Sequence, residues 1–261
     1  MSKHERWSTL LELVSDRKRL SIEDAAQELD VSAATIRRDF DELAQQQMVT
    51  RTRGGVVAHT VAYELPLRYK VARNAGEKQR IAAAAAALIE PGATVGLNGG
   101  TTTTEVARAL ATQADLDGPS GGPGFTVVTN ALNIANELVV RPHVKVVSTG
   151  GVARTQSFEL IGPLATDIFR RITIDTAVLG VSGLDAGHGA TCHHEGEADI
   201  NRLLAEQAAQ VIVVADGSKL GRHAFARICA VEAIQVVVTD AGAPPEEVTL
   251  IEQAGVRVIQ A

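Results

Sequence analysis

A chain of 261 residues with 45% apolar and 21% charged side chains can bury one large core or two smaller ones. No run approaches the roughly 18–20 apolar residues that a helix needs to span a bilayer, so no membrane association is expected. The formal charge of −6 speaks against a nucleic-acid partner, but it is unevenly spread: residues 1–80 hold 14 Lys and Arg against 12 Asp and Glu, the rest 11 against 19.

The charged start Met1-Ser2-Lys3-His4-Glu5-Arg6 lacks a secretory pattern. Two cysteines, Cys192 and Cys229, are too few for a disulfide framework. A cytoplasmic location with both thiols reduced is the expectation.

In chain order, Trp7, Leu10, Leu11 and Val14 recur at helical spacing and predict a first helix. Ser21 is placed to cap a second helix, with Asp24 three residues on and Ile22, Ala25, Ala26 and Leu29 as its apolar face. After the break Asp30-Val31, Ser32 is placed to cap a third, from Ala33 to about Gln47. Thr50-Arg51-Thr52-Arg53 alternates like an exposed strand, and Gly54-Gly55 makes a tight turn before Val56-Val57. Residues 1–57 therefore read as a winged helix-turn-helix and residues 58–76 as a connector.

From residue 77 to 261 the pattern changes to alternating helices and short β-branched strands. A helix is predicted over Glu77–Glu90, with others over Thr103–Ala111, Leu132–Val139 and Glu197–Gln210. Strands are predicted at Thr94–Leu97, Phe125–Thr129, Val144–Ser148, Thr176–Val181, Val211–Ala215, Val236–Thr239 and Arg257–Ile259. Their near-continuous apolar character is that of a parallel sheet covered on both faces. The fold class is thus α/β, a doubly wound and mostly parallel domain behind a winged helix-turn-helix. Asp115–Gly124, rich in Gly and Pro, reads as a surface loop.

On a helical wheel Ile36, Phe40 and Leu43 share the buried face of the third helix, which leaves Ala34, Arg38 and Glu42 opposite, flanked by Thr35 and Arg37. Small residues, a hydroxyl and guanidiniums near a helix start suit a major-groove reader, since Arg pairs bidentately with guanine. The same pattern also describes a solvated amphipathic helix followed by a hairpin. The run Ser32 to Phe40, preceded by Ala25 to Val31 and followed by Arg53-Gly54-Gly55, resembles the signature of the DeoR family of bacterial regulators. That resemblance implies DNA binding through Ser32, Ala34, Thr35, Arg37, Arg38, Arg51, Arg53, Gly54 and Gly55, with Arg38 on bases and Arg37, Arg51 and Arg53 on the backbone.

Ligands of open α/β sheets sit beyond the strands' carboxyl ends. Here those ends lead into Asn98-Gly99-Gly100-Thr101-Thr102-Thr103, Thr129-Asn130, Thr149-Gly150-Gly151, Ser182-Gly183-Leu184-Asp185 and Asp216-Gly217-Ser218-Lys219. Glycines allow close approach, a Thr-rich helix start offers N–H and hydroxyl donors, and Lys219 adds a point charge. An anionic polyol such as a sugar phosphate fits those donors, although each loop taken singly is equally well explained as a turn or cap.

The DeoR resemblance extends through Glu77-Lys78, Gly100-Thr101-Thr102, Thr129-Asn130, Gly150-Gly151, Gly162-Pro163-Leu164-Ala165, Ala215 to Lys219 and Thr239-Asp240. It implies a sensor domain similar to sugar-phosphate isomerases and CoA transferases, and a repressor of carbohydrate genes controlled by a phosphorylated sugar or related metabolite. Phosphate contacts then fall to Thr101, Thr102 and Thr103, with Asn130, Gly151 and Lys219 around the ligand. Two-fold operators imply a homo-oligomer, dimer or tetramer.

Three features depart from the family pattern: Asn98, Gly217 where a larger residue (often His) is usual, and Cys192-His193-His194-Glu195. Adjacent residues in such a run rarely converge on one ion, so neither metal nor cofactor is expected, and His193 is kept as an effector contact. The rival reading is a sugar-phosphate isomerase or transferase with an appended DNA-binding module. Asp185, Glu195 and Asp216 are its available carboxylates, but none sits in a recognisable catalytic motif. A nicotinamide enzyme is weaker still, because Gly96-Leu97-Asn98-Gly99-Gly100 is not Gly-x-Gly-x-x-Gly.

Overall fold

Two serine caps organise the N-terminal helices, as their positions predict. The Ser21 hydroxyl accepts from the Asp24 N–H and starts α2 (Ile22–Glu28), and the Ser32 hydroxyl accepts from the Thr35 N–H and starts α3 (Ala33–Gln45). Between them Asp30 adopts φ +51, and the Val31 N–H returns to the Ala26 carbonyl at 3.1 Å. This helix end places a left-handed residue after the last turn, a conformation Asp tolerates better than most side chains. The turn of the helix-turn-helix is therefore fixed by backbone bonds.

The computed structural model describes residues 3–46, 48–58, 67, 74–113 and 122–261. They fall into two units, Met1–Arg73 and Asn74–Ala261. Most of the connector read at 58–76 and most of the loop read at Asp115–Gly124 lie outside the described residues.

In the first unit α1 (Lys3–Arg17) precedes a short strand β1 (Arg19–Ser21) that sequence reading did not separate from the helices. The wing is β2 (Val49–Thr52) and β3 (Gly55–Ala58), and β3 lies in the middle of the antiparallel order β1-β3-β2. Gly55 pairs with Ser21, and a Cβ there would sit 2.1 Å from the Leu20 carbonyl oxygen, so β1 closes on β3 only because residue 55 has no side chain. Trp7, Leu10, Leu11, Val14, Ile36, Phe40 and Leu43 fill the core.

Asp39, on the same side of α3, is buried as well. It accepts from Arg6 Nε at 2.5 Å, Arg6 Nη2 at 3.1 Å and Trp7 Nε1 at 2.9 Å, tying α3 to α1.

The second unit is built on a seven-stranded sheet whose neighbours are all parallel, in the order β15-β14-β12-β9-β4-β5-β6. In chain order these are β4 (Thr94–Leu97), β5 (Phe125–Thr129), β6 (Val144–Ser148), β9 (Ile174–Gly180), β12 (Ala208–Val214), β14 (Val236–Thr239) and β15 (Arg257–Gln260). All seven predicted strands are present. The helix α4 (Ala75–Ala86) precedes them in the chain, α5 (Thr101–Ala111), α6 (Leu132–Leu138), α7 (Glu195–Glu206) and α8 (Pro245–Gln253) lie between them, and two apolar cores cover the sheet.

Helix limits shift from those predicted. α7 ends before Gln210 because Ala208 and Gln210 already pair with Ile174 and Thr176 in β12. α5 begins at Thr101 instead of Thr103, which puts the whole threonine run in its first turn. Sequence reading also missed a hairpin, β7 (Val152–Ala153) with β8 (Leu160–Ile161), and a small antiparallel sheet of β10 (Gly183–Asp185), β11 (Gly189–Cys192) and β13 (Ala226–Cys229).

Removing the Asp39 carboxylate should strand the Arg6 guanidinium and the indole N–H. Asp39→Ala is expected to destabilise the first unit by about 3 kcal/mol, the cost typical of breaking a buried pair. Urea unfolding followed by Trp7 fluorescence measures this, and an unchanged midpoint would show that the pair is not part of the core.

Candidate functional site

The reading face predicted for α3 is exposed. Ala34, Arg37 and Arg38 face solvent, as do Arg53 and Gly54 at the wing's tip, and none of the three arginines makes an ion pair among the described residues. Thr35 hydrogen-bonds the Ser32 hydroxyl at 2.9 Å, so both side chains serve the cap first. Arg51 differs from its neighbours. Its Nε donates to Asp41 at 2.7 Å, its Nη1 to the Gly55 carbonyl at 3.0 Å, and its guanidinium lies over the Phe40 ring. Arg51 thus staples wing to helix, while Arg37, Arg38 and Arg53 project outward.

In the second unit, parallel pairing brings the predicted loops to one edge. Asn98 is buried and joins two strand ends, donating to the Gly180 carbonyl at 2.9 Å and accepting from the Gly180 N–H at 2.8 Å. Gly100 then caps α5 with φ +153 and ψ +160, a region essentially restricted to glycine. The Thr103 and Thr104 hydroxyls both return to the Gly100 carbonyl, at 3.1 and 2.6 Å. The hydroxyls left over in this turn are those of half-buried Thr101 and buried Thr102, beside helix N–H groups that lack intrahelical partners.

Glu159, which sequence reading did not single out, covers this turn. A Cβ at Gly99 would sit 2.4 Å from Glu159 Cγ, and Asn130 Nδ2 donates to Glu159 Oε2 at 2.9 Å. Asn130 Oδ1 and Thr239 Oγ1, at the ends of β5 and β14, are buried with no hydrogen-bond partner. Thr129 is also buried, its hydroxyl taken by the Ala131 N–H at 3.0 Å. The hairpin carrying Glu159 is held to α7 by Arg154, which donates to buried Glu197 at 2.7 Å. These residues were illegible because the hairpin has only two residues per strand and carries no pattern.

Asp216 caps and Lys219 ends a short 3-10 turn, Gly217–Lys219, after β12. Burial works against ionisation of Asp216. A hydrogen bond from Ser218 and the charges of Lys219 and Lys78 outweigh it, so the carboxyl stays below the ordinary carboxylate range. Lys78, buried on α4, thereby joins Lys219 at this edge. Gly217 has a local reason: a Cβ there would sit 2.6 Å from Ala243 Cα, and its N–H donates to Asp240 at 2.6 Å. A larger residue at 217 is excluded by this close approach.

Other candidates are taken up by structure. Gly150 and Gly151 have positive φ, and a Cβ at Gly151 would meet the Ile161 carbonyl at 2.9 Å; at Gly183 it would meet the Arg222 carbonyl at 2.4 Å. Asp185 turns into its hairpin, accepting from the Gly187 and His188 N–H groups at 2.8 and 2.6 Å. His193 is exposed ahead of α7. Its neighbours do not form a metal-binding run: Cys192 donates to the His194 carbonyl, and His194 Nδ1 caps α7 by accepting from Gly196. Neither cysteine is in a disulfide, and burial pushes the Cys229 thiol up to about 11, which makes it a poor nucleophile.

Comparison with known proteins decides the family. The DeoR C terminal sensor domain matches residues 73–241 and the DeoR-like helix-turn-helix domain residues 6–61. The chain belongs to the DeoR family. The HTH-type transcriptional regulator GlpR of Haloferax volcanii is 36% identical, covering 98% of this chain and 96% of its own. The glycerol-3-phosphate regulon repressor of Escherichia coli is 32% identical over 94% and 93% of the two chains. Ribose 5-phosphate isomerase A of Methanocaldococcus jannaschii matches 56% of this chain and 54% of its own with a TM-score of 0.41 and 16% identity. This DeoR-family chain is a DNA-binding transcriptional regulator, and the enzyme reading finds no support among its relatives. Among the described residues no helix is long and apolar enough to cross a membrane.

The depressed Asp216 carboxyl has a definite sign in stability. Its contribution is present above the unfolded value near 4 and is lost as pH falls through the lower folded value. The melting-temperature gap between parent and Asp216→Asn should therefore be full at pH 7 and shrink below about pH 4. A gap that stays constant to pH 3 would show that Asp216 is not held ionised.

Proposed function

We propose that this regulator senses a small phosphorylated polyol at the carboxyl edge of its parallel sheet, and that the bound effector alters operator affinity. The observation that carries this is the pairing of anion donors with polar groups for hydroxyls on one edge. The anion donors are the first-turn N–H groups of α5 behind Gly99-Gly100, with the Thr101 and Thr102 hydroxyls and the lysines Lys78 and Lys219. Asn130 and Glu159 beside that turn, and Thr239 on β14 next to β12, supply polar groups for hydroxyls, and the side-chain oxygens of Asn130 and Thr239 are buried without partners. The E. coli relative is named for glycerol-3-phosphate, a phosphorylated polyol, which agrees in chemistry with these two sets of groups.

Operator reading is assigned to Arg38 on base edges, with Arg37 and Arg53 on phosphates. Arg51 is left to hold the wing, since it already has partners. Asp185 is left out of the effector site because its Oδ1 caps its own turn and its Oδ2 faces His188 and His223. Two copies reading a two-fold operator would make the active form a homo-oligomer.

The test is operator binding titrated with phosphorylated sugars and polyols, for the parent, Lys219→Ala and Arg38→Ala. A matching effector should shift the parent's affinity by roughly 5- to 150-fold. Lys219→Ala should require a higher effector concentration, by about tenfold or more, for the loss of one charge-assisted contact. Arg38→Ala should cost about 1–3 kcal/mol for the cognate operator and little for unrelated DNA. Unchanged operator affinity at saturating ligand defeats the sensor assignment, and a fully active Arg38→Ala defeats the reading face.

A further inference from the structure

One cluster of side chains takes no part in the DNA and effector contacts assigned above. His188 follows β10 in the hairpin turn, and His223 lies in the segment after Lys219. Their rings stack with centroids 4.2 Å apart and planes 24° from parallel. Both present Nδ1 to one carboxylate: His188 Nδ1 lies 3.0 Å and His223 Nδ1 3.6 Å from Asp185 Oδ2. Among the described residues, Asp185, His188 and His223 are the group whose ligand atoms all fall within 4.8 Å of one another.

We infer that Asp185, His188 and His223 form a binding site for a divalent transition-metal cation of the zinc class. Three observations carry it. First, metal bonds of 2.0–2.1 Å in a tetrahedral set put ligand atoms about 3.4 Å apart, and the two Asp–His separations, 3.0 and 3.6 Å, bracket that distance.

Second, the carboxylate is already oriented. Asp185 Oδ1 accepts from the Gly187 and His188 N–H groups, which holds the carboxylate with both oxygens against His188 Nδ1, at 3.1 and 3.0 Å, and Oδ2 toward His223, the fixing that metal ligands need. Third, the backbone around the site is fixed. The Gly221 N–H donates to the Leu184 carbonyl at 2.9 Å, and the Arg222 carbonyl lies so close to Gly183 that no Cβ fits between them.

One cation facing both Nδ1 atoms would engage the carboxylate and both rings together. Two imidazoles and a carboxylate suit Zn2+, Ni2+ or Co2+ better than Mg2+ or Ca2+, which prefer all-oxygen sites. Three protein ligands leave a fourth position to water. The bound cation would clamp the β10–β11 turn to the segment that begins at Lys219.

The experiment titrates the full-length protein with Zn2+ against a chromophoric chelator and with Co2+ followed by visible absorption. His188 and His223 side chains are about three-fifths exposed, so His188→Ala and His223→Ala are expected to fold as the parent does. The parent should bind one equivalent, each variant should weaken binding by about tenfold or more, and the double variant should lose it. Zn2+ should also slow amide exchange at 185–188 and 221–225 in the parent but not in the double variant. Binding that survives the double substitution, or is lost instead in His194→Ala, overturns the assignment, as does a parent that binds less than one equivalent of either metal.

Discussion

Parallel strands can neighbour one another only if each connection carries the chain back to the same starting end. Seven such strands in one sheet therefore deliver every carboxyl terminus to a single edge. Nearly everything at the sensor edge follows from that constraint. Asn98 can clasp Gly180, 82 positions away, because β4 and β9 are parallel neighbours. The Thr101 turn, Asn130, Thr149, Asp216 and Asp240 stand along one edge for the same reason, although no two of their loops are adjacent in sequence.

Such an edge gathers polar groups that the core cannot solvate, and the chain settles most of them internally. Asp216 takes Ser218 and the charges of two lysines, Glu159 takes Asn130, and Asp240 takes the Gly217 and Gly242 N–H groups. Among the described residues, what stays open at this edge includes the buried Asn130 Oδ1 and Thr239 Oγ1 and the first turn of α5. On the proposed reading, a ligand with an anionic and a hydroxylated part would be selected by the groups that are not already spoken for.

The N-terminal unit obeys a different rule. Its core is small, so a buried ion pair and backbone turn bonds supplement apolar packing. Asp39 anchors α3 from beneath while Arg51 anchors the wing to it from the side. The arginines that project outward are those for which the unit has no internal use.

Element type and order were legible in the sequence, because periodicity and capping are local properties. The seven strands, the two serine caps, the Ile36-Phe40-Leu43 face and the glycine-rich helix start can each be read from a window of a few residues. The family signature likewise rests on short contiguous runs. Which polar residues are free to act was decided only in three dimensions. Arg51 and Arg53 look alike in an alternating strand, yet only Arg51 has Asp41 beside it. Gly217 looks like a departure from pattern until Ala243 is packed against it. Glu159 and His223 carry no local signal, because their partners lie 29 or more residues away in the chain. Pattern reports the backbone each residue prefers, whereas the partner that captures a charge is set by how distant segments close on one another.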